Sequence, residues 1–312
     1  VSVCEMLLAP GDRVLLENFA YSDTPSRHSV GRLIDFCHGQ PDEFHVSHYK
    51  LSFETDIRIL VVRTLLTYLE LDGYLQATAP RYDSYKIRPL VTSEAILRNF
   101  EGERRQFLTG VLAQLTKARK WFSLNMVPAA KALGEDRRRI VKAVEFMAAQ
   151  NWIEVQVSDL VHGYRWLKRC DHPKVLADRY HERIMERERS EVTRLDDVFQ
   201  IAKADRCQAD LIAQHFGEHL EEPCGSCSYC LGEGPFEIPV IAARDIGDSA
   251  RQSLAEVCRE YPDHLTTARQ QARFLCGMSS PKMTRSRLSR HPSFGVCEQI
   301  PFEDVLQQVR SS

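Results

Sequence analysis

The chain has 312 residues, 43% hydrophobic and 27% charged, with a formal net charge of −2 at pH 7. This is ordinary globular composition, long enough for roughly two to four domains, and it excludes a disordered or low-complexity chain. The greasiest stretch, Ile57 to Leu71, is broken by Arg58, Arg63 and Glu70, so no membrane helix and no membrane partner are expected. Val1 is not an initiator Met, and the start lacks the basic and apolar pattern of a signal peptide, so a fragment of a longer protein is the expectation.

In chain order, Val1–Leu8 reads as a strand, and Pro10-Gly11-Asp12 opens a helix through Phe19. Residues 28–92 then carry a helix around Val30–Phe36, a short segment at Glu43–Tyr49 and an amphipathic helix over Asp56–Leu71. That helix places Ile57, Leu60, Val61, Leu65 and Leu69 inward and is stopped by Asp72-Gly73. Strands Tyr74–Thr78 and Tyr85–Leu90 follow, predicted to form a hairpin around Ala79–Ser84.

The order repeats. Arg104–Thr116, Val127–Leu133 and Arg137–Ala149 read as helices, and strands Trp152–Val157 and Tyr164–Leu167 flank a turn at Ser158–Gly163. Helices followed by a β-hairpin make a winged helix, and two such units of similar length predict tandem winged helices, the alternative being a generic helical α+β domain. After Pro173 a long helix is dense in Arg179, Glu182, Arg183, Glu186, Arg187, Glu188 and Arg189, the pattern of an exposed, salt-bridged arm of a helical hairpin. Gly232–Pro235 is a linker that Pro239 continues. The last segment has helices near Ser249–Tyr261, Thr267–Cys276, Pro281–Ser289 and Phe302–Val309.

The most specific signal lies between these segments. Cys224-Gly225-Ser226-Cys227-Ser228-Tyr229-Cys230 is a C-x2-C-x2-C knot, and Cys207 precedes it across a sixteen-residue gap, on a helix expected through Ala204–Ile212. Four thiolates at this spacing can close a tetrahedral shell around one structural Zn²⁺ per chain, with no position open for water or substrate. Free or disulfide-paired thiols are the alternative, and His215 or His219 could in principle replace Cys207. Cys4, Cys37, Cys170, Cys258, Cys276 and Cys297 lack metal spacing and read as small hydrophobes in a reducing compartment.

No G-x-x-x-x-G-K-[ST] loop occurs and no Ser/His/Asp or Cys/His grouping is legible, so the chain by itself is expected to have no catalytic residues. Nucleic acid has better candidates. Arg137, Arg138 and Arg139 open the recognition helix of the second winged helix and Lys142 continues its outer side. From His264 to Cys297 there are six basic residues and no Asp or Glu, with Arg285, Arg287 and Arg290 on one helix. The first hairpin tip carries Arg81, Tyr82, Tyr85 and Lys86, where exposed tyrosines could stack on bases or else pack on their own domain.

Around the cysteines, Arg206-Cys207, Phe216-Gly217-Glu218 and Pro223-Cys224-Gly225 leading into Cys227 and Cys230 resemble the zinc-binding subdomain of RecQ-family DNA helicases, with His215 where that family usually has Tyr. The resemblance implies zinc ligation by Cys207, Cys224, Cys227 and Cys230. It also implies that residues 1–27 are the end of a helicase motor lobe and that the 81–86 tip is a wedge at a duplex fork, although the family usually places its winged helix after the zinc module. ATP and Mg²⁺ would belong to a motor domain outside this chain, with 3′-to-5′ translocation.

The expected fold is mainly α with small β-hairpins (α+β): winged helices at 28–95 and 96–170, a zinc-binding helical hairpin at 171–233 and a helix-turn-helix-like module at 244–312. The expected function is DNA binding, to duplex or fork, by the C-terminal region of an ATP-dependent helicase of DNA repair or recombination, partnered by its own motor. The expected location is cytoplasmic, nucleoid-associated or nuclear according to the cell. A motor-less DNA-binding regulator or recombination adaptor, and a zinc-stabilised protein scaffold, are the alternatives.

Overall fold

A computed structural model describes residues 5–237 and 245–311. In chain order its elements are α1 (Asp12–Asp23), α2 (Arg27–His38), β1 (Glu43–Val46), α3 (His48–Thr55), α4 (Ile59–Leu71), β2 (Leu75–Pro89), α5 (Ser93–Leu97), α6 (Gly102–Ala113), β3 (Thr116–Lys117) and β4 (Phe122–Asn125). There follow α7 (Met126–Leu133), α8 (Arg137–Ala149), β5 (Ile153–Trp166), α9 (Pro173–Lys203), α10 (Gln208–His215), α11 (Gly247–Glu260), α12 (Ala268–Leu275), α13 (Pro281–Arg285) and α14 (Phe302–Ser311). The fold is α+β, largely helical with one small antiparallel sheet. Its residues fall into two compact units: Val1–Gly39, Leu51–Tyr68 and Cys170–Ser312 form the first, Gln40–Lys50 and Leu69–Arg169 the second.

The second unit is built on a five-stranded sheet of order β1-β5-β2-β4-β3. Here the structure corrects the sequence reading. The two expected hairpins do not exist; each pair of short strands is one long strand, and β2 and β5 pair antiparallel from Leu75↔Trp166 to Pro89↔Ile153. The segment expected to turn, Ala79–Ser84, runs straight on because a register shift between Thr78 and Arg81 absorbs Ala79-Pro80, where proline has no N–H to give the ladder. In β5 the segment expected to turn also runs on as strand, with Asp159 at φ 55° within it.

The order of elements is similar in the two halves of this region. Helix–strand–helix–helix–strand occurs as α2-β1-α3-α4-β2 and again, with the two-residue strand β3 inserted before β4, as α6-β3-β4-α7-α8-β5. The third strand of each comes from the other repeat. The C-terminal half of β5 lies between β1 and the start of β2, and the C-terminal half of β2 lies between β4 and the start of β5. Beneath the second arrangement α6, α7 and α8 bury Val111, Ala129, Ile140, Val144 and Met147 against Tyr85, Ile87, Leu124 and Ile153 of the strands. Asp136 caps α8 by accepting a hydrogen bond from the Arg138 N–H, and Gly134 ends α7 in the left-handed region.

The first unit is organised along α9, on which α1 and α2 pack. The expected strand at its start is not found: Glu5–Leu8 are irregular, and Val1–Cys4 lie outside the described residues. Ile57, Val61, Leu65 and Leu69 are inward as expected, but Leu60 is exposed, because α4 begins only at Ile59, after a break at Asp56 with φ 57°. The C-terminal helices α11–α14 share one core with α1, in which the rings of Tyr21 and Phe302 lie 4.5 Å apart. The module expected to begin at 244 is therefore not a separate body. Pro239 of the expected linker lies outside the described residues, as does Arg244.

Basic residues of the 264–297 run hold this core together. Arg269 pairs with buried Glu188 of α9, and Arg273 donates to the Ser22 and Thr24 carbonyls at the C-terminal end of α1. Burial pushes the Glu188 carboxyl up, and the attraction of Arg269 opposes that shift. Lys282 donates its backbone N–H to Asp56 Oδ1 at 2.8 Å, and its ammonium donates to the Asp263 carbonyl.

Gly163 tests the long strand pair. A Cβ there would meet Thr78 Oγ1 at 2.2 Å, His45 Nε2 at 2.9 Å and the Ala79 carbonyl at 3.0 Å. Gly163→Ala is expected to destabilise the protein by about 1–3 kcal/mol, the usual cost of overpacking. Thermal melts read this directly, and an unchanged melting temperature would refute the tight β1-β5-β2 crossing.

Candidate metal centre and nucleic-acid surface

The zinc loop is anchored at both ends to the last turn of α9. Gln208 Nε2 donates to the Ile201 carbonyl at 3.2 Å, and the Phe236 N–H donates to the Ala202 carbonyl at 3.0 Å. The helix expected through Ala204–Ile212 starts only at Gln208, so Cys207 is its N-cap rather than an interior residue. A residue before the first turn can aim its side chain back at the loop.

Cys207, Cys224, Cys227 and Cys230 converge, their sulfurs all within 4.8 Å of one another. Cys224 and Cys230 sulfurs are 3.9 Å apart. A regular tetrahedron of thiolates around zinc, with Zn–S bonds of about 2.3 Å, has edges of about 3.8 Å. The donor set therefore fits one structural zinc, all four positions filled by sulfur. Gly225, at φ 67°, makes the turn between the first two loop ligands, where a Cβ would be strained.

Backbone donors surround the sulfurs. The Cys227 N–H points at Cys224 Sγ (3.3 Å) and the Cys224 N–H at Cys207 Sγ (3.4 Å), and the Ser226 hydroxyl lies 3.6 Å from Cys224 Sγ. Hydrogen bonds from the Ser226 N–H and hydroxyl, then from the Cys227 N–H, lower the Cys224 pKa to about 6, which favours the thiolate a metal needs. His219 lies 4.0 Å from Asp210 Oδ1, and the His215 ring meets Phe216 edge-on; neither is in the ligand group. Cys37, Cys170, Cys258, Cys276 and Cys297 are free thiols apart from that group, and Cys37, Cys276 and Cys297 are buried.

Residues 167–231 match the family described as RecQ zinc-binding. The matched stretch contains all four cysteines of the cluster. No curated protein matches the chain. The RecQ-type match ends well short of both chain termini and leaves the sheet and the C-terminal helices to be read from their own geometry.

The basic candidates divide sharply. Arg137 donates to the Tyr82 carbonyl and lies 3.9 Å from Asp83. Arg139 pairs with Glu135 and Glu103, its guanidinium 4.4 Å from the centre of the Phe107 ring. Both are structural ties within the second unit. Arg138 and Lys142 instead point outward. On β2, Arg81 pairs with Asp83 at 2.9 Å while Lys86 is exposed. Arg285, Arg287 and Arg290 are exposed, with Arg285 at the end of α13 and the other two beyond it.

The tyrosines do not sit at a tip. Tyr85 is 8% exposed and belongs to the core beneath β2, whereas Tyr82, three residues earlier on the same strand, is 41% exposed. The hairpin that does exist joins β3 to β4, closed by a hydrogen bond from the Ala118 N–H to the Trp121 carbonyl at 2.8 Å. It presents Lys117, Arg119 and Lys120 outward, and Arg88 of β2 lies 5.5 Å from the centre of the Trp121 ring. Sequence reading passed over this turn, although Lys117-Ala118-Arg119-Lys120-Trp121 carries its own signal, three cations beside an aromatic in a short connection.

Two outcomes follow. Cys227→Ala is expected to lose zinc and the fold of the loop together, because thiolate ligation and folding are linked; metal analysis and circular dichroism check this, and a zinc-free variant with an intact melt would contradict it. Tyr85→Ala should cost about 3–5 kcal/mol as a core truncation, while Tyr82→Ala should stay within about 1 kcal/mol. Equal melting temperatures for the two variants would show that Tyr85 is not in the core.

Proposed function

We propose that this chain is the DNA-binding C-terminal region of a RecQ-like ATP-dependent DNA helicase, holding duplex or forked DNA for a motor domain that supplies ATP hydrolysis. The observation that carries the reading is the RecQ-type zinc-binding match at 167–231, together with four thiolates gathered at one point. In this reading zinc serves folding and takes no part in reaction chemistry. Residues 1–27 are the end of the motor lobe, and the two winged helices of this reading share the β2–β5 ladder in place of separate hairpins.

DNA contact rests on the outward cations of the second unit. Lys117, Arg119 and Lys120 on the β3–β4 hairpin and Arg138 and Lys142 on α8 carry five positive charges, all on exposed side chains. A helix N-terminus with an outward arginine, and a basic turn with a half-buried tryptophan, each suit phosphate positioning more than base reading. Arg285, Arg287 and Arg290 offer a second basic surface in the first unit.

If those five cations each neutralise one phosphate, the slope of log affinity against log salt is expected near −4.5, from about −0.9 per phosphate. Neutralising Arg119 and Lys120 should flatten the slope by about 2 and weaken binding to all sequences alike. Fluorescence anisotropy on forked and linear duplexes measures both. A salt-independent affinity would refute the DNA reading, and a loss confined to one sequence would point to a regulator instead.

A further inference from the structure

The surface around the metal centre has a character opposite to that of the DNA candidates. Helix α10 contains no buried residue. Ile212 and Phe216 stand four residues apart, on one side of the helix and its C-cap, and are 46% and 76% exposed. Leu220, Leu231 and Phe236 are exposed as well. So many large apolar side chains exposed in so short a stretch are more than the single scattered residues normal on a surface, and exposure of this kind accompanies interaction sites.

Charge narrows the choice of partner. Residues 204–237 contain seven carboxylates (Asp205, Asp210, Glu218, Glu221, Glu222, Glu233, Glu237) and a single arginine, Arg206. A Zn²⁺ held by four thiolates adds a net −2 at the centre of the same lobe. Phosphate is repelled from such a surface rather than drawn to it. A second copy meeting the first through this same patch would set carboxylates against carboxylates, because a twofold interface is self-complementary.

We infer that the zinc lobe docks a basic, amphipathic segment of another protein, its apolar side chains on Ile212, Phe216 and Leu231 and its lysines or arginines facing Glu218, Glu221 and Glu222. A helix with anchors three and four residues apart, and cations flanking them, has the required chemistry. The metal makes the surface competent. Zinc, the two N–H···S contacts and the ties to Ile201 and Ala202 fix the loop, so little ordering remains to be done on binding. This inference needs the zinc centre and is independent of DNA contact by the second unit.

The test uses the zinc-loaded full chain and a labelled synthetic helical peptide of Leu and Lys, with Leu on one face, beside the same peptide carrying Glu for Lys. The Lys peptide is expected to bind with an affinity that falls as salt rises, and the Glu peptide is expected not to bind. Phe216→Ser should weaken binding at least about tenfold, the effect of removing a central aromatic anchor. The triple change Glu218→Gln, Glu221→Gln and Glu222→Gln should weaken it and flatten its salt dependence. Leu231→Ser runs in parallel, so that the answer does not hang on the folding of one variant; zinc content and melting temperature accompany each. Forked-DNA affinity should not fall in any of them. Peptide binding unchanged by all three variants would overturn the proposal. So would a dimer of the wild-type chain that Phe216→Ser dissociates, which makes a second copy the occupant, or a loss of DNA affinity in Phe216→Ser, which makes the lobe part of the DNA surface.

Discussion

Everything in the second unit depends on the antiparallel pairing of β2 with β5. Each strand serves two helix–strand–helix–helix–strand repeats, as the last strand of its own and the middle strand of the other. Neither repeat can satisfy its edge hydrogen bonds alone, because the strand that completes it lies in the other half of the sequence. The pairing must therefore form between segments far apart in the chain, at a large loop-closure cost, before either core closes. Two sequence details make the long ladder possible. The bulge after Thr78 carries Pro80 past the partner without demanding an N–H, and Gly163 leaves room where Thr78 and His45 crowd the backbone.

In the first unit α9 plays the comparable part. Its middle meets the C-terminal helices through Glu188 and Arg269, and its end holds the zinc loop through Ile201 and Ala202. Removing either partner of a pair such as Glu188 and Arg269 leaves a charge stranded in low dielectric, so the pair acts more as a lock on geometry than as a source of stability. The guanidinium of Arg269 also lies 5.2 Å from the centre of the Phe302 ring, which joins the ion pair to the apolar core of α14. Metal centre, α9 and C-terminal helices are thus linked by direct contacts rather than by a flexible tether.

The metal centre was legible in the sequence because ligand chemistry is local: three cysteines in seven residues admit few readings, and the sulfurs converge as the spacing implied. Helix existence was legible for a similar reason, since apolar periodicity and turn residues act over a few positions; α8 and α14 begin where they were expected. Strand partners were not. Tyr74–Thr78 and Tyr85–Leu90 look like two arms of a hairpin because Ala79-Pro80 reads as a turn, and only the presence of β5 across the whole length turns that break into a bulge. The same blindness placed Tyr85 at an exposed tip and Leu60 in the core. Charge counting had a related limit: Arg137, Arg139, Arg269 and Arg273 count as surface cations in a sequence and prove to be internal ties, each spoken for by a carboxylate or a carbonyl.

A net charge of −2 conceals a division of labour by sign. The β3–β4 hairpin, the outer side of α8 and the end of α13 each present exposed cations, while the zinc lobe carries exposed carboxylates around apolar side chains. Thiolate ligation reinforces that division, since the ion neutralises only half of the charge of its shell. A polyanion approaching the molecule is therefore attracted to some surfaces and turned away from this one, at distances longer than any contact. The zinc centre can then be read as more than a staple: in fixing the loop it also holds an anionic, apolar face in one arrangement.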